Sequence, residues 1–250
     1  MPAEVRMMDL KINPLTMEET VSLIKEKLEG KASHRCLPVY TPNAEIFMQA
    51  HRDENFRHIL NSSWLTLPDG AGLKLASRLL PEMERFPARV AGCDLLQQMI
   101  AESARSNYSL YFLGARPGVA AEAAHRMQVK WPDLNIAGCH HGYLDRVSVG
   151  GLMERINEKR PDLLFVGMGA PRQEKFIHTH RERLQAGVAI TVGGSFDVLS
   201  GEVKRAPVIM QELYLEWLYR LIKDPSRWRR MLRLPAFVGT VFAEILRELL

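Results

Sequence analysis

Apolar residues along this chain follow two alternating patterns. Short runs rich in β-branched or aromatic side chains, Leu37 to Tyr40, Trp64 to Leu67, Ser109 to Leu113, Leu163 to Val166 and Val188 to Val192, read as strands, each followed by Gly, Pro, Asn or Asp. Amphipathic stretches long enough for helices fill the intervals. Three carry start signals: Pro117 and Gly118 precede Val119 to Val129, Pro171 precedes Arg172 to Leu184, and Pro207 precedes Val208 to Ile222. Strands separated by helix-length intervals pair in parallel, since a crossover helix must carry the chain back to the same end of the sheet.

After Gly201 the pattern changes to helical segments with no further strand, broken by Pro225 and Pro235. Leu213, Trp217 and Leu221 are spaced to share one helix face, and Arg227 and Arg230 to share a side of the next. The last piece, Leu234 to Leu250, is apolar with a thin polar side of Glu244, Arg247 and Glu248. The expected architecture is therefore α/β: a Rossmann-like, mostly parallel sheet flanked by helices over residues 1–200, and a helical appendage over 201–250.

In open parallel sheets ligands bind outside the carboxyl ends of the strands. Here those ends read Thr41-Pro42-Asn43, Pro68-Asp69-Gly70-Ala71-Gly72, Gly114-Ala115-Arg116-Pro117-Gly118, Gly167 through Gln173, and Gly193-Gly194-Ser195-Phe196-Asp197. Asp69 stands where a carboxylate could act as a general base, although Pro-Asp-Gly is equally an ordinary turn. Thr41 and Asn43 have the groups to orient sugar hydroxyls or to cap the helix that follows. The turn from Gly167 to Gln173 offers a helix N-terminus to a diphosphate, or is a plain tight turn. Its glycines do not match G-x-G-x-x-G, which counts against a dinucleotide-binding oxidoreductase, the reading that the α/β rhythm alone would also allow.

Charge adds a partner. The chain carries a net +4, yet Arg220, Lys223, Arg227, Arg229, Arg230 and Arg233 against Asp224 give residues 220–233 more than that, leaving the rest slightly acidic. A basic cluster at one end calls for an anionic surface: headgroups, a pyrophosphate or nucleic acid. The three cysteines, Cys36, Cys93 and Cys139, are far apart and read as small buried hydrophobes of a reducing compartment. His140 and His141 are adjacent, so their side chains are expected to diverge and not to share a metal. No D-x-D triplet is present, so no metal-bridged diphosphate is indicated, and cationic side chains would have to neutralise a leaving group. The first fourteen residues interrupt their apolar positions with Glu4, Arg6, Asp9 and Lys11, unlike a signal peptide, and no stretch approaches the ~18 apolar residues of a membrane span.

Five blocks in order, T-P-N-A-E-I-F (41–47), L-P-D-G-A-G (67–72), R-V-A-G-C-D-L (89–95), G-M-G-A-P-R-Q-E (167–174) and G-G-S-F-D-V-L-S-G (193–201), resemble the WecG/TagA/CpsF glycosyltransferase family, as does the segment from Lys204 to Arg230. The resemblance covers about residues 5 to 233; the apolar stretch beyond Leu234 lies outside it. It implies an inverting, metal-independent transferase without a cofactor. That enzyme moves a sugar from a UDP-sugar onto an undecaprenyl-diphosphate-linked sugar, at the cytoplasmic face of the bacterial cell membrane. Family members serve wall teichoic acid, common antigen and exopolysaccharide synthesis. N-acetylmannosamine is the first choice of donor sugar, with glucose and N-acetylmannosaminuronate as alternatives. By the resemblance Asp69 is the catalytic base, Thr41 and Asn43 line the sugar pocket, Arg89 adds positive charge to the cleft, and Gln173 and Asp197 contact UDP. Arg220, Arg227 and Arg230 would close over the site and meet the pyrophosphate.

From the basic cluster and the apolar tail, residues 220–250 are expected to attach to an anionic membrane surface, with the arm loosely held in water. Nucleic acid is not an expected partner, since the core is acidic and carries no recognition motif. The oligomeric state stays open, because an apolar tail serves lipid or a sister chain equally well.

Overall fold

The computed structural model describes residues 3–30, 36–80, 85–145, 147–213 and 215–249; of Arg220, Arg227, Arg229, Arg230, Glu248 and Leu249 it describes the backbone alone. The elements run β1 (Val5–Met7), β2 (Leu10–Ile12), α1 (Met17–Glu29), β3 (Leu37–Tyr40), α2 (Ala44–Arg52), α3 (Glu54–Asn61), β4 (Leu65–Thr66), α4 (Ala71–Leu79) and α5 (Gly92–Ser106). They continue with β5 (Leu110–Gly114), α6 (Val119–Lys130), β6 (Ile136–His140), α7 (Ser148–Lys159), β7 (Leu163–Gly167), α8 (Arg172–His180), β8 (Val188–Thr191) and α9 (Ser195–Leu199). The C-terminal part is α10 (Val208–Glu212), α11 (Glu216–Lys223), a 3-10 turn (Pro225–Arg227), α12 (Trp228–Met231) and α13 (Arg233–Leu249).

Six strands form one sheet in the order β4-β3-β8-β7-β5-β6, every neighbouring pair parallel, so all six carboxyl ends leave the same edge. The inner strands β5, β7 and β8 are continuous apolar runs, as suits strands covered on both faces. Tyr111, Leu113, Leu164 and Val166 point into a core with Phe47, Phe56, Leu73 and Ile177. Their alternates Leu110, Phe112, Leu163 and Phe165 point into a second core with Ile24, Leu95, Ala120 and Phe196. Helices α2, α4 and α8 thus lie on one face and α5, α6 and α9 on the other.

Two strand features were not expected. β6 runs Ile-Ala-Gly-Cys-His at the sheet edge, half exposed and short of branched residues, and so carries no strong periodicity. There Cys139 is exposed, contrary to the buried reading that holds for Cys36 and Cys93; β6 has a neighbouring strand on one side only. The β1-β2 hairpin turns on Met8 and Asp9, both at positive φ (46° and 66°), a primed turn made without the usual Asn-Gly. It docks on the sheet through Asn13, whose N–H donates to the Thr66 carbonyl and whose Oδ1 accepts from the Thr66 N–H, each at 2.8 Å.

The stretch expected as one helix over Val208 to Ile222 is two, α10 ending at Glu212 and α11 beginning at Glu216, which removes Leu213 from the face of Trp217 and Leu221. The helix from Arg172 stops at His180. Nor is the end of the arm loosely held. Phe237 and Val241 of α13 are each only 3% exposed and join the core around α2 and α4, with the Phe237 ring edge-on to Phe47 at 5.4 Å. Gly72 makes the approach possible: a Cβ there would lie 3.1 Å from Ala44 Cβ and 3.5 Å from the Phe237 ring.

Candidate active site

The connections leaving the sheet edge diverge. β3 and β7 feed helices on one face, and their neighbours β8 and β5 feed helices on the other, so a crevice opens between the loops. It holds a hollow of about 330 Å³, within the range of small-ligand pockets. Asn43, Glu45 and Ile46 line one end, Ala115, Arg116, Gly142 and Tyr143 the other, and the floor is the two glycine-rich turns Gly167 to Ala170 and Gly193 to Gly194, with Gln173 and Asp197. A larger hollow of about 550 Å³ lies between α1 and α5, but no strand end reaches it and its four glutamates face one lysine. It repels a diphosphate, so the site is assigned to the smaller one.

Close backbone approach makes this floor. Gly114 has φ +150°, and a Cβ on it would fall 2.3 Å from the Gly167 carbonyl oxygen; a Cβ on Gly167 would fall 2.7 Å from that of Gly193. No larger residue fits at either position, which leaves peptide groups rather than side chains facing the hollow.

Asp69 stands one strand over, half-buried at the end of β4, its N–H donating to the Pro42 carbonyl at 3.0 Å. It does not line the hollow but sits beside Asn43, which does; Gly70, at φ +91°, turns the chain sharply into α4 next to the Asn43 side chain. Asn43 is the N-cap of α2, its Oδ1 accepting from the Ile46 N–H at 3.0 Å, so capping and cleft lining coexist. Thr41 is 7% exposed and donates its hydroxyl to the Thr191 carbonyl at 3.1 Å, joining β3 to β8 behind the cleft.

Arg89 comes alongside because the Val90 N–H donates to the Pro68 carbonyl at 3.0 Å. Its guanidinium pairs with Glu216 of α11 at 3.1 Å and with Asp94 at 3.6 Å. Arg205 pairs with the same two acids, at 2.6 Å to Asp94 and 3.5 Å to Glu216. Burial disfavours the Arg205 charge, yet Asp94 and Glu216 more than offset this and hold its pKa above the ordinary value. Gln173 is 3% exposed and bridges two loops: the Gly193 N–H donates to its Oε1 at 3.1 Å and its Nε2 donates to Glu174 Oε1 at 2.8 Å. Asp197 lines the hollow from the first turn of α9.

The structure thus gathers Asp69, Asn43, Arg89, Gln173 and Asp197 along one edge, with Thr41 just beneath. The side chains of Arg220, Arg227 and Arg230 lie outside the described residues. Sequence reasoning did not single out Arg116, whose guanidinium reaches Glu202 at 2.6 Å, or Arg172, which donates to the Gly142 carbonyl at 3.2 Å. Both stand in strand-end loops that were legible. Gly142 and Tyr143 were missed because β6 was. The His140 and His141 rings do not diverge but pack with centroids 4.3 Å apart where β6 ends. Among the described residues no group of three or more His, Cys, Asp or Glu is gathered as a metal site, and no helix is long and apolar enough to cross a membrane.

The model of the glycosyl transferase WecG/TagA/CpsF family matches residues 5–249. The chain belongs to this family. It is a glycosyltransferase, and the match takes in α13, so the apolar tail is part of the family pattern. Relatives include the N-acetylglucosaminyldiphosphoundecaprenol N-acetyl-beta-D-mannosaminyltransferase of Bacillus subtilis (strain 168), 40% identical over 82% of this chain and 79% of the relative. The protein of the same name from Staphylococcus aureus (strain MW2) is 31% identical over 94% of this chain and 91% of the relative. A third, from Bacillus spizizenii (strain ATCC 23059 / NRRL B-14472 / W23), is 38% identical over 81% of this chain and 77% of its own length.

Proposed function

We propose that this glycosyltransferase moves an N-acetyl-β-D-mannosaminyl group from UDP onto N-acetylglucosaminyl-diphospho-undecaprenol. The observation that carries it is the likeness to transferases of that name over 82% and 94% of the chain, together with a peptide-floored cleft beside a carboxylate. In this reading the acceptor hydroxyl gives its proton to Asp69 as its oxygen attacks the anomeric carbon. The bond from that carbon to the UDP phosphate oxygen breaks, UDP leaves with the electron pair, and the configuration inverts. Asn43 holds the sugar, with Thr41 behind it tying β3 to β8, and Gln173 and Asp197 hold the nucleotide. Arg89 and the arginines of the C-terminal helices, Arg220, Arg227 and Arg230, neutralise the leaving diphosphate, so no divalent ion is required.

The same reading puts the enzyme on the cytoplasmic face of the membrane, at its lipid-linked acceptor. While Phe237 and Val241 of α13 face the core, Val238, Phe242 and Leu246 form a ridge on its outer side at i, i+4, i+8 spacing, each more than half exposed. Trp228 and Leu232 extend the exposed apolar surface into the basic stretch. An apolar ridge set among cations suits an anionic bilayer surface. The deciding experiment incubates the protein with UDP-N-acetylmannosamine, UDP-glucose and UDP-N-acetylmannosaminuronate in turn, with the lipid-linked N-acetylglucosamine acceptor, and weighs the products. A mass gain of one N-acetylhexosamine with the first donor alone is expected. Transfer from another donor instead would overturn the sugar assignment.

A further inference from the structure

Glu174 is 1% exposed, and its Oε2 has no hydrogen-bond partner among the described residues. Its Oε1 accepts from Gln173 Nε2 at 2.8 Å, and its own backbone N–H adds a smaller favourable pull on the carboxylate. Burying a carboxylate with one oxygen unserved weakens a fold, and an apolar residue of similar volume in its place is commonly neutral or stabilising. The chain keeps it in the first turn of α8, directly behind the floor of the cleft.

The Gly193 N–H can only donate, so the Gln173 amide must turn its oxygen toward it, and the nitrogen is then driven toward position 174. An acceptor at 174 favours that orientation; without one, the amide is free to rotate or to present N–H against N–H. The relay Glu174 to Gln173 to Gly193 thus sets both the orientation of the buried Gln173 amide and the path of the Gly193-Gly194 backbone, two parts of the cleft lining.

We infer that Glu174 is a positioning residue that fixes the Gln173 amide, and through it the Gly193 turn, for a nucleoside diphosphate. The inference rests on the proposed reading of the cleft as the UDP site. Three forms of the full chain, wild type, Glu174→Met and Glu174→Gln, are compared by calorimetric titration with UDP, by thermal melting, and by exchange of the Gly193 amide hydrogen. Glu174→Met should bind UDP about tenfold more weakly and expose the Gly193 amide to exchange, while melting no lower than wild type. Glu174→Gln, which keeps a carbonyl acceptor, should recover most of the affinity. Wild-type affinity with a protected Gly193 amide in Glu174→Met would overturn the inference. So would lost affinity accompanied by a lowered melting temperature that Gln does not rescue, since that is a structural role. If wild type itself binds no UDP, the cleft reading falls, and exchange at Gly193 still decides whether Glu174 holds the turn.

Discussion

Arg89 and Glu216 meet at 3.1 Å although 127 residues separate them in the chain. The contact joins the segment beside Asp69 to α11, and Asp94 and Arg205 close it into a ring of alternating charge. Both side chains of the pair are less than a fifth exposed, so neither charge is well served by water if the other is removed. The proposed catalytic carboxylate and the C-terminal helices are therefore mechanically connected through Arg89.

Replacing Glu216 by Ala should loosen that connection. The pair lies between the surface and buried regimes, so the expected loss is about 1–2 kcal/mol. Limited proteolysis should then cut within residues 208–231 faster than in wild type, and transfer should fall with it. Unchanged cleavage and unchanged turnover would show that the ring does not hold the arm.

Asp69→Asn keeps the shape of the side chain and removes its basicity. Turnover should fall by about 10²-fold or more while UDP affinity stays near wild type, because Asp69 stands beside the hollow rather than in its lining. A titration and a turnover assay on the same preparation separate the two quantities, and retained turnover would remove Asp69 from the mechanism.

How much of this was legible depended on whether a signal was local. Strands buried on both faces, such as Leu163–Gly167 and Leu110–Gly114, announce themselves as apolar runs, and their polar ends were enough to mark the cleft. β6 has neither run nor alternation because it is stabilised by one neighbour at the sheet edge, and Tyr143 disappeared from view with it. The partners of Arg89 could not be read at all. Glu216 looks like any helix-surface acid until tertiary packing brings α11 against Arg89. Glu174 was visible only as part of a motif, since an unserved buried oxygen is a property of packing and leaves no trace in spacing.

Chelation tests the role given to the arginines. If cationic side chains neutralise the departing UDP, excess EDTA should leave turnover within about twofold of the untreated enzyme, whereas a metal-bridged diphosphate would lose activity by orders of magnitude. Restoration by added magnesium or manganese after such a loss would count against the proposal.

Phe237→Ala probes the packing of α13. The ring is 3% exposed, lies edge-on to Phe47 and touches the space that Gly72 leaves open, so its removal creates a cavity between α13 and α2. A loss of about 3 kcal/mol is expected. Denaturant melts measure it, and a loss of only a few tenths would mean that α13 is not seated on the core in solution.

Burial pushes the Glu174 carboxyl up from 4.5 to about 7, against the opposing pull of the hydrogen bond from Gln173. Between those two values the folded chain holds a proton that the unfolded chain has released, so stability must decline as pH rises across that interval. The contribution is fully present below the unfolded value and lost once the pH has passed the folded one. Glutamine at the same position cannot titrate. The stability of Glu174→Gln relative to wild type should therefore increase between roughly pH 5 and pH 8, read as the difference between paired urea melts at each pH. A difference that stays flat across the interval would mean that the carboxyl reaches water or an unseen partner, and that its Oε2 is not unserved.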